Sequence, residues 1–281
     1  MEYRYEPLEN HADAYANYAA FLVEVFDKPA LFTTEYLLWQ YGQNPVGQAV
    51  GYNAWYGEQL VGHCATLPVE YMFNDQPVKG VLCLNVATHP AHQGKGLFTR
   101  LLSETFNLAA RLNYDFCIAV PNANSTPAFV RKHNFALLTQ LQVFLGIGHI
   151  DTNRQSASFY EHRTPDFLNW RLARPNAQYS MSLKSKQAAI YANTGWPGIQ
   201  AQLCNYDLPP KGLPKLPAKG VQLATLWIGY NQQVTKKGIF APLPERFKPS
   251  PLNLVIKGLQ TAFKIPKLTQ IDFSLIDFDP Y

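Results

Sequence analysis

The chain has 281 residues, with 24 Lys or Arg against 20 Asp or Glu for a net charge of +4, and 47% of its residues are hydrophobic. That composition supplies a full core and excludes a disordered or collagen-like chain. No apolar run approaches the roughly 18 residues of a membrane span, which excludes a helical membrane protein, and "MEYRYEPLEN" has no apolar stretch of the kind a secretory leader needs.

In chain order, His11 to Phe26 is rich in Ala, Tyr and Leu at helical spacing and predicts the first helix. Thr33 or Thr34 starts a second, with a hydroxyl N-cap and Glu35 in the first turn. "VGYNAWYGEQLVGHCATLPVEYMF" predicts two strands joined through Gly57-Glu58, and "KGVLCLNVATHP" a third. Leu97 to Leu112 follows as a helix, with Leu97, Leu101, Thr105, Leu108 and Leu112 on its apolar face. "YDFCIAV" is a buried-type strand, "STPAFVRKHNF" a short helix opened by Ser125 or Thr126, and "ALLTQLQVFLGI" a returning strand. The closing "LTQIDFSLIDFDPY" reads as an alternating strand. The order α-α-β-β-β-α-β-α-β indicates a mixed α/β (α+β) sheet rather than regular βαβ alternation.

Two octapeptides share a frame: Thr33-Thr34-Glu35-Tyr36-Leu37-Leu38-Trp39-Gln40 and Thr164-Pro165-Asp166-Phe167-Leu168-Asn169-Trp170-Arg171. Each is followed by a Pro (Pro45, Pro175) and then by a strand-like pair, which suggests an internal duplication with domains at 1–148 and 149–281. The second copy has no equivalent of Gly94-Lys95-Gly96; in its place lies "DLPPKGLPKLPAKG", a Pro-Lys linker that cannot continue a helix or pair as a central strand. From Lys211 to Lys267 there are ten Lys or Arg and one acid, Glu245. This is either a solvated basic face or a patch for an anionic ligand. Nucleic acid is not expected, because the lysines lie among prolines without aromatic interleaving.

Cys64, Cys83, Cys117 and Cys204 show no CxxC or metal-like spacing, and three lie in apolar strand contexts. They read as reduced core thiols of a cytoplasmic protein, with a catalytic thiol as the alternative, and no metal is expected. At "VATHPAHQGKGLFTRLL" a strand passes through Gly94-Lys95-Gly96 into a helix. A helix N-terminus offers unpaired N–H groups and positive potential, and glycines let a phosphate approach the backbone. The segment is neither a Walker loop nor a Rossmann fingerprint, since Thr99 stands where the third glycine would be. Taken alone, it reads equally as a plain tight turn.

This block, followed by a helix, a strand and "PNANSTPAFVRKHNF", resembles the GNAT family of acyl-CoA-dependent N-acyltransferases, whose consensus here is Q/R-x-x-G-x-G/A. Gly94 and Gly96 fill the glycine positions, while Ala91 stands where the leading Gln or Arg would be, with Gln93 close by. The motifs cover residues 55–147. The PNANS form is similar to an Eis-like branch that carries a second, degenerate GNAT-like half, which agrees with the repeat.

The resemblance implies a GNAT fold, acetyl-CoA as co-substrate and a small-molecule primary amine as acceptor. It implies that Gln93, Gly94, Lys95, Gly96, Leu97, Phe98 and Thr99 cradle the pyrophosphate. Val86, Ala87 and Thr88 would pair with the pantetheine arm on a strand that splays from its neighbour, and Asn124 and Ser125 would contact the cofactor or simply start the helix. His89 and His92 flank the loop, either facing solvent or touching a phosphate.

The Tyr that serves as acid in many relatives falls here on Val130. Asn85 stands where relatives often have an acid; an amide cannot act as a base but can orient a water. Glu70, Asp75 and His63 lie on the acceptor side by the same resemblance, and the C-terminal carboxylate of Tyr281 could enter the site as it does in Eis-like relatives. The missing Tyr leaves a non-catalytic acyl-CoA-binding protein, or an enzyme with another acyl donor, as alternatives.

Overall fold

The computed structural model describes residues 2–183, 187–207, 215–220, 222–248 and 250–278. In chain order its strands are β1 (Tyr3–Pro7), β2 (Val50–Tyr56), β3 (Gln59–Phe73), β4 (Gln76–Thr88), β5 (Phe116–Ala119), β6 (Ala136–Gln140), β7 (Gln142–Thr152) and β8 (Phe159–Glu161). They continue as β9 (Tyr179–Leu183), β10 (Gln187–Asn193), β11 (Ile199–Asp207), β12 (Ala224–Asn231), β13 (Val234–Pro242), β14 (Asn253–Gly258) and β15 (Ile271–Ser274). The α-helices are α1 (Ala12–Phe26), α2 (Thr34–Leu37), α3 (Leu97–Arg111) and α4 (Pro165–Leu172). No described helix is long and apolar enough to cross a membrane.

The residues divide into two compact units. The first holds Met1–Glu70, Val78–Leu137 and Val255–Ile265, and the second holds Tyr71–Pro77, Leu138–Leu254 and Pro266–Tyr281. The expected single boundary at 148 is therefore replaced by a division after Leu137 and by two exchanged segments. Long-range strand pairing is the reason: Val255–Gly258 of β14 pairs antiparallel with β5, far from its own sequence neighbours.

In the first unit β1, β2 and β3 pair antiparallel in that order. Gly57 makes the β2–β3 turn at φ +61°, the left-handed region a glycine enters without steric cost. The edge of β4 away from β3 pairs parallel with β5, from Gly80 opposite Phe116 to Cys83 opposite Ala119. The core of this unit gathers Val61, Cys64, Leu101, Phe106, Cys117 and Val255. All four cysteines are free and buried, which agrees with reduced core thiols.

Helix α3 buries Leu97, Leu101, Leu102, Thr105, Phe106 and Ala109. The expected stripe of Leu97, Leu101, Thr105, Leu108 and Leu112 fails at its end, where Leu112 is 52% exposed. Leu112 is the C-cap, one residue past the last helical residue Arg111 and at a non-helical ψ of 9°, so the chain leaves the helix before it can join the buried face.

In the second unit β7 pairs antiparallel with both β12 and β13. β12 continues to β11 in parallel and to β15 antiparallel, and β10 joins β11 to β9. Helix α4 repeats the start of α2: Thr33 Oγ1 accepts the Tyr36 N–H at 3.1 Å, and Thr164 Oγ1 accepts the Phe167 N–H at 3.1 Å. Each helix precedes an antiparallel pair, β2 with β3 and β9 with β10.

The closing segment is not one strand. β15 stops at Ser274, because Asp277 Oδ2 accepts the Ser274 N–H at 2.7 Å and turns the chain into a buried 3-10 turn. "ALLTQLQVFLGI" likewise splits at Leu141, whose N–H donates to Leu252 O at 2.8 Å. Of the Pro-Lys linker, residues 208–214 lie outside the described residues.

Candidate functional site

The first unit contains a cleft of about 810 Å³ between the C-terminal ends of β4 and β5. Its origin is local. The pairing of β4 with β5 ends at Cys83 opposite Ala119. Two residues on, Asn85 takes φ +47°, a left-handed conformation inside a strand. Such a residue costs on the order of 1 kcal/mol or more and persists only where its surroundings over-determine it. Beyond this point Asn85, Val86, Ala87 and Thr88 line one wall, and Ala119, Val120, Pro121 and Asn122 line the other. The splay expected of the strand at Asn85 to Thr88 is thus the mouth of the cleft, and strand groups left without β-partners there suit an extended, amide-bearing ligand.

The end of the cleft is closed by the glycine joint. Gly94 stands at φ +75° and Gly96 at φ +81°, both left-handed, and a Cβ built on either would meet nothing within 4 Å. Gly96 is the N-cap of α3 and makes no side-chain cap, so the first-turn N–H groups of Leu97, Phe98 and Thr99 have no intrahelical acceptor. A 15-residue helix adds the positive end of its dipole there. Gln93 also lines the cleft, its Nε2 donating to Thr88 O at 3.4 Å. Lys95 is exposed and is not among the lining residues.

Asn122, Asn124, Ser125 and Lys132 complete the lining on the β5 side. Asn122 Oδ1 accepts the Ser125 N–H at 2.9 Å and the Ser125 hydroxyl at 3.0 Å. This turn starts the wide-turned (π) helix Ala128–Lys132. Asn122 is therefore the residue that shapes this loop, although the sequence pattern pointed to Asn124 and Ser125. Val130, at the family's Tyr position, packs against the core.

Behind Asn85 runs a chain of buried polar groups. Asn85 Nδ2 donates to Gln40 Oε1 at 2.8 Å and to the Tyr41 hydroxyl at 2.9 Å. The Tyr41 hydroxyl lies 3.0 Å from His63 Nε2, and His63 Nδ1 lies 2.8 Å from Asn53 Oδ1. Gln40 and Tyr41 come from the wide turn Leu38–Gly42, a π-helical turn of the kind that recurs at functional sites. Burial pushes the His63 pKa down to about 3, so the ring is neutral at ordinary pH. Burial likewise raises the Tyr41 pKa, partly offset by the hydrogen bond from Asn85. Neither group is a base for a proton arriving in the cleft.

His92 lines the cleft and its Nδ1 meets the Tyr3 hydroxyl at 2.9 Å, while His89 Nε2 meets Glu24 Oε1 at 2.9 Å. Glu70 is half-buried on β3, and Asp75 is exposed in the turn between β3 and β4. Tyr281 lies outside the described residues. Gln40, Tyr41 and Asn53 were missed by the sequence reading. The available signal was His63 itself, since a histidine in the apolar strand "LVGHCATL" must find two partners once buried.

Residues 9–138 match the acetyltransferase (GNAT) domain family. Among solved structures, the chain is similar to a conserved protein of unknown function from Enterococcus faecalis V583, described as a probable N-acyltransferase. The two are 13% identical, with 92% of this chain and 73% of that chain covered and a TM-score of 0.60. A GCN5-related N-acetyltransferase from Anabaena variabilis is 12% identical over 92% of this chain and 73% of its own, at TM-score 0.61. The Saccharomyces cerevisiae N-myristoyltransferase with bound myristoyl-CoA is 9% identical over 76% of this chain and 68% of its own, at TM-score 0.52. A search of curated protein sequences finds no match.

Proposed function

Since residues 9–138 are a GNAT acetyltransferase domain, we propose that this protein is an N-acyltransferase that moves an acetyl group from acetyl-CoA to the primary amine of a small molecule in the cytoplasm. The observation that carries the reading is the uncapped, glycine-opened N-terminus of α3 at the end of the cleft where β4 and β5 part. In it, the N–H groups around Gln93 to Thr99 hold the pyrophosphate, with Lys95 adding positive charge nearby. Val86, Ala87 and Thr88 pair with the pantetheine amides, and Asn124 and Ser125 border the cofactor on the other side. Acetyl-CoA supplies the activated acyl group.

The amine nitrogen attacks the thioester carbon, a C–N bond forms, the C–S bond breaks, and the sulfur leaves with the electron pair and takes up a proton released by the amine. Asn85 orients the reacting groups beside the thioester, and the carboxylate of Tyr281 takes the amine proton and passes it on to the leaving sulfur. The second unit, a degenerate GNAT-like half, carries a basic stretch suited to an anionic ligand.

A specific observation favours a second reading, a non-catalytic acyl-CoA-binding protein. Among the described residues lining the cleft the titratable ones are Cys83, His92 and Lys132, and no carboxylate or Tyr is there. Calorimetric titration with acetyl-CoA, run beside a thiol-release assay over a panel of primary amines, separates the two. Binding with turnover supports the enzyme, binding without turnover supports the second reading, and no binding overturns both. Repeating the assay with myristoyl-CoA tests whether the donor is a longer acyl chain, as the fold likeness to the yeast enzyme suggests.

A further inference from the structure

We propose that Tyr41 and His63 are positioning residues that hold the Asn85 amide with its oxygen toward the cleft, so that Asn85 accepts an N–H from a bound reactant. This role rests on the acyl-transfer reading above. A primary amide has two N–H donors and one oxygen. Both donors of Asn85 are committed, to Gln40 Oε1 at 2.8 Å and to the Tyr41 hydroxyl at 2.9 Å. Oδ1 is therefore what this side chain, which lines the cleft, has left to offer a ligand.

The direction of the chain follows from its inner end. Nδ1 of His63 faces the Asn53 oxygen and carries the proton of the neutral ring. Nε2 is then an acceptor, the Tyr41 hydroxyl donates to it, and the Tyr41 oxygen is free to accept from Asn85. Gln40, Tyr41, Asn53 and His63 are each exposed by 2% or less, so solvent does not reach them to substitute for a lost partner. Burying so many polar groups is costly unless every one is satisfied. Here the whole chain terminates on one residue, and the backbone of that same residue is held at φ +47°. Two independent devices thus fix the position of Asn85 and the orientation of its amide.

The ligand group is an N–H donor, with two sources in the reaction: the attacking amine or a pantetheine amide. A hydrogen bond from the amine to Oδ1 would hold its nitrogen beside the thioester carbon. Asn85 itself gains and loses no proton.

The first test is the His63 tautomer, read from the ring ¹⁵N shifts of histidine-labelled protein and assigned by difference with His63→Gln. A proton on Nδ1 is expected; a proton on Nε2 reverses the chain and overturns the proposal. The second test is Tyr41→Phe, measured with the amine of highest turnover and with acetyl-CoA. Loss of one hydrogen bond of about 1.4 kcal/mol corresponds to about a tenfold loss of kcat/KM. A rise in KM for the amine with unchanged calorimetric affinity for acetyl-CoA assigns the amine as donor, and a matching loss of acetyl-CoA affinity assigns pantetheine. No change in either overturns the role. If Tyr41→Phe folds poorly, Asn85→Ser at the cleft wall repeats the same two measurements with the same expected results. A wild type that does not bind acetyl-CoA overturns the acyl-transfer reading itself, whereas an active wild type with an unaffected Tyr41→Phe overturns only the positioning role.

Discussion

Cys83 and Ala119 are the last residues at which β4 and β5 pair, and the cleft begins where that pairing ends. Backbone groups past this point have no partner in the neighbouring strand, so a ligand can protect them. Hydrogen exchange with mass-spectrometric readout should show the segments 84–88 and 94–99 exchanging rapidly alone. At acetyl-CoA concentrations of about 100 times Kd, binding stabilises the bound form by about 2.7 kcal/mol, so exchange there should slow by about a hundredfold. Unchanged exchange in both segments would move the donor elsewhere.

At the glycine joint no protein atom lies within 4 Å of a Cβ built on Gly94 or Gly96, so internal clashes are not what excludes other residues. The positive φ strains any L-residue there by about 1 kcal/mol. Gly94→Asp and Gly96→Glu add a carboxylate where an anion should bind. Both should fold, with Tm lower by about 2–4 °C, and both should lose measurable acetyl-CoA binding by calorimetry. Gly94→Ala should keep part of the affinity. A folded Gly96→Glu with wild-type affinity would remove the loop from the donor site.

His63 makes stability depend on pH. Its folded pKa, about 3, lies below the ordinary 6.5 because burial disfavours the charged ring. Between those values the unfolded chain binds a proton that the folded chain does not, so stability falls as pH drops through this window. From pH 6.5 to 5 the loss amounts to about 1.6 kcal/mol, since the slope climbs from half of about 1.36 kcal/mol per pH unit at pH 6.5 toward the full value. Urea denaturation of the wild type and of His63→Gln at both pH values tests this: the stability gap between the two proteins should narrow on acidification. A pH-independent gap would mean that the ring is not held neutral.

In the second unit Arg163 donates to Asp277 at 2.8 Å and to Ser274 Oγ at 2.8 Å, and Asp272 lies 3.8 Å away. Burial, and then the nearby Asp277, raise the Glu161 pKa well above the usual carboxylate range. Removing the guanidinium leaves buried carboxylates without their counter-charge. Arg163→Ala should cost about 3–5 kcal/mol in denaturant unfolding, while Arg163→Met, which also leaves Asp277 unpaired, should not recover the loss. The double variant Arg163→Met with Asp277→Asn, which removes one buried charge and keeps an acceptor for the Ser274 N–H, should recover part of it.

Much of the first unit, and the start of α4 in the second, was legible because the signals are local. Thr33 and Thr164 announce their helices through a hydroxyl that accepts the N–H three residues on. Gly57 marks a turn at positive φ. Gly94 and Gly96 stand where a strand hands over to a helix. Val86 to Thr88, Gln93, Gly94 and Gly96 to Thr99 line the cleft and were each singled out by their place in a short motif, whereas Lys95, singled out with them, does not line it. Leu112 was misplaced because the helix ends at Arg111, one residue before it, and apolar spacing does not mark that end. The closing strand was drawn too long because alternation does not reveal the Ser274–Asp277 hydrogen bond that ends it.

The sequence by itself determined the run of elements from α1 to β7 and the glycine joint, though not β1 ahead of α1, and it carried the resemblance of that block and "PNANSTPAFVRKHNF" to the GNAT family. It did so because a helix start, a turn and a glycine-opened joint between strand and helix are each written within a few consecutive residues. Only the tertiary structure decided that Gln40, Tyr41, Asn53 and His63 converge behind Asn85, and that Val255–Gly258 pairs with β5. Those partners lie tens to more than a hundred residues apart in the chain. Their contacts come from strand pairing and burial, which place side chains by the path of the fold and leave no spacing in the sequence to read.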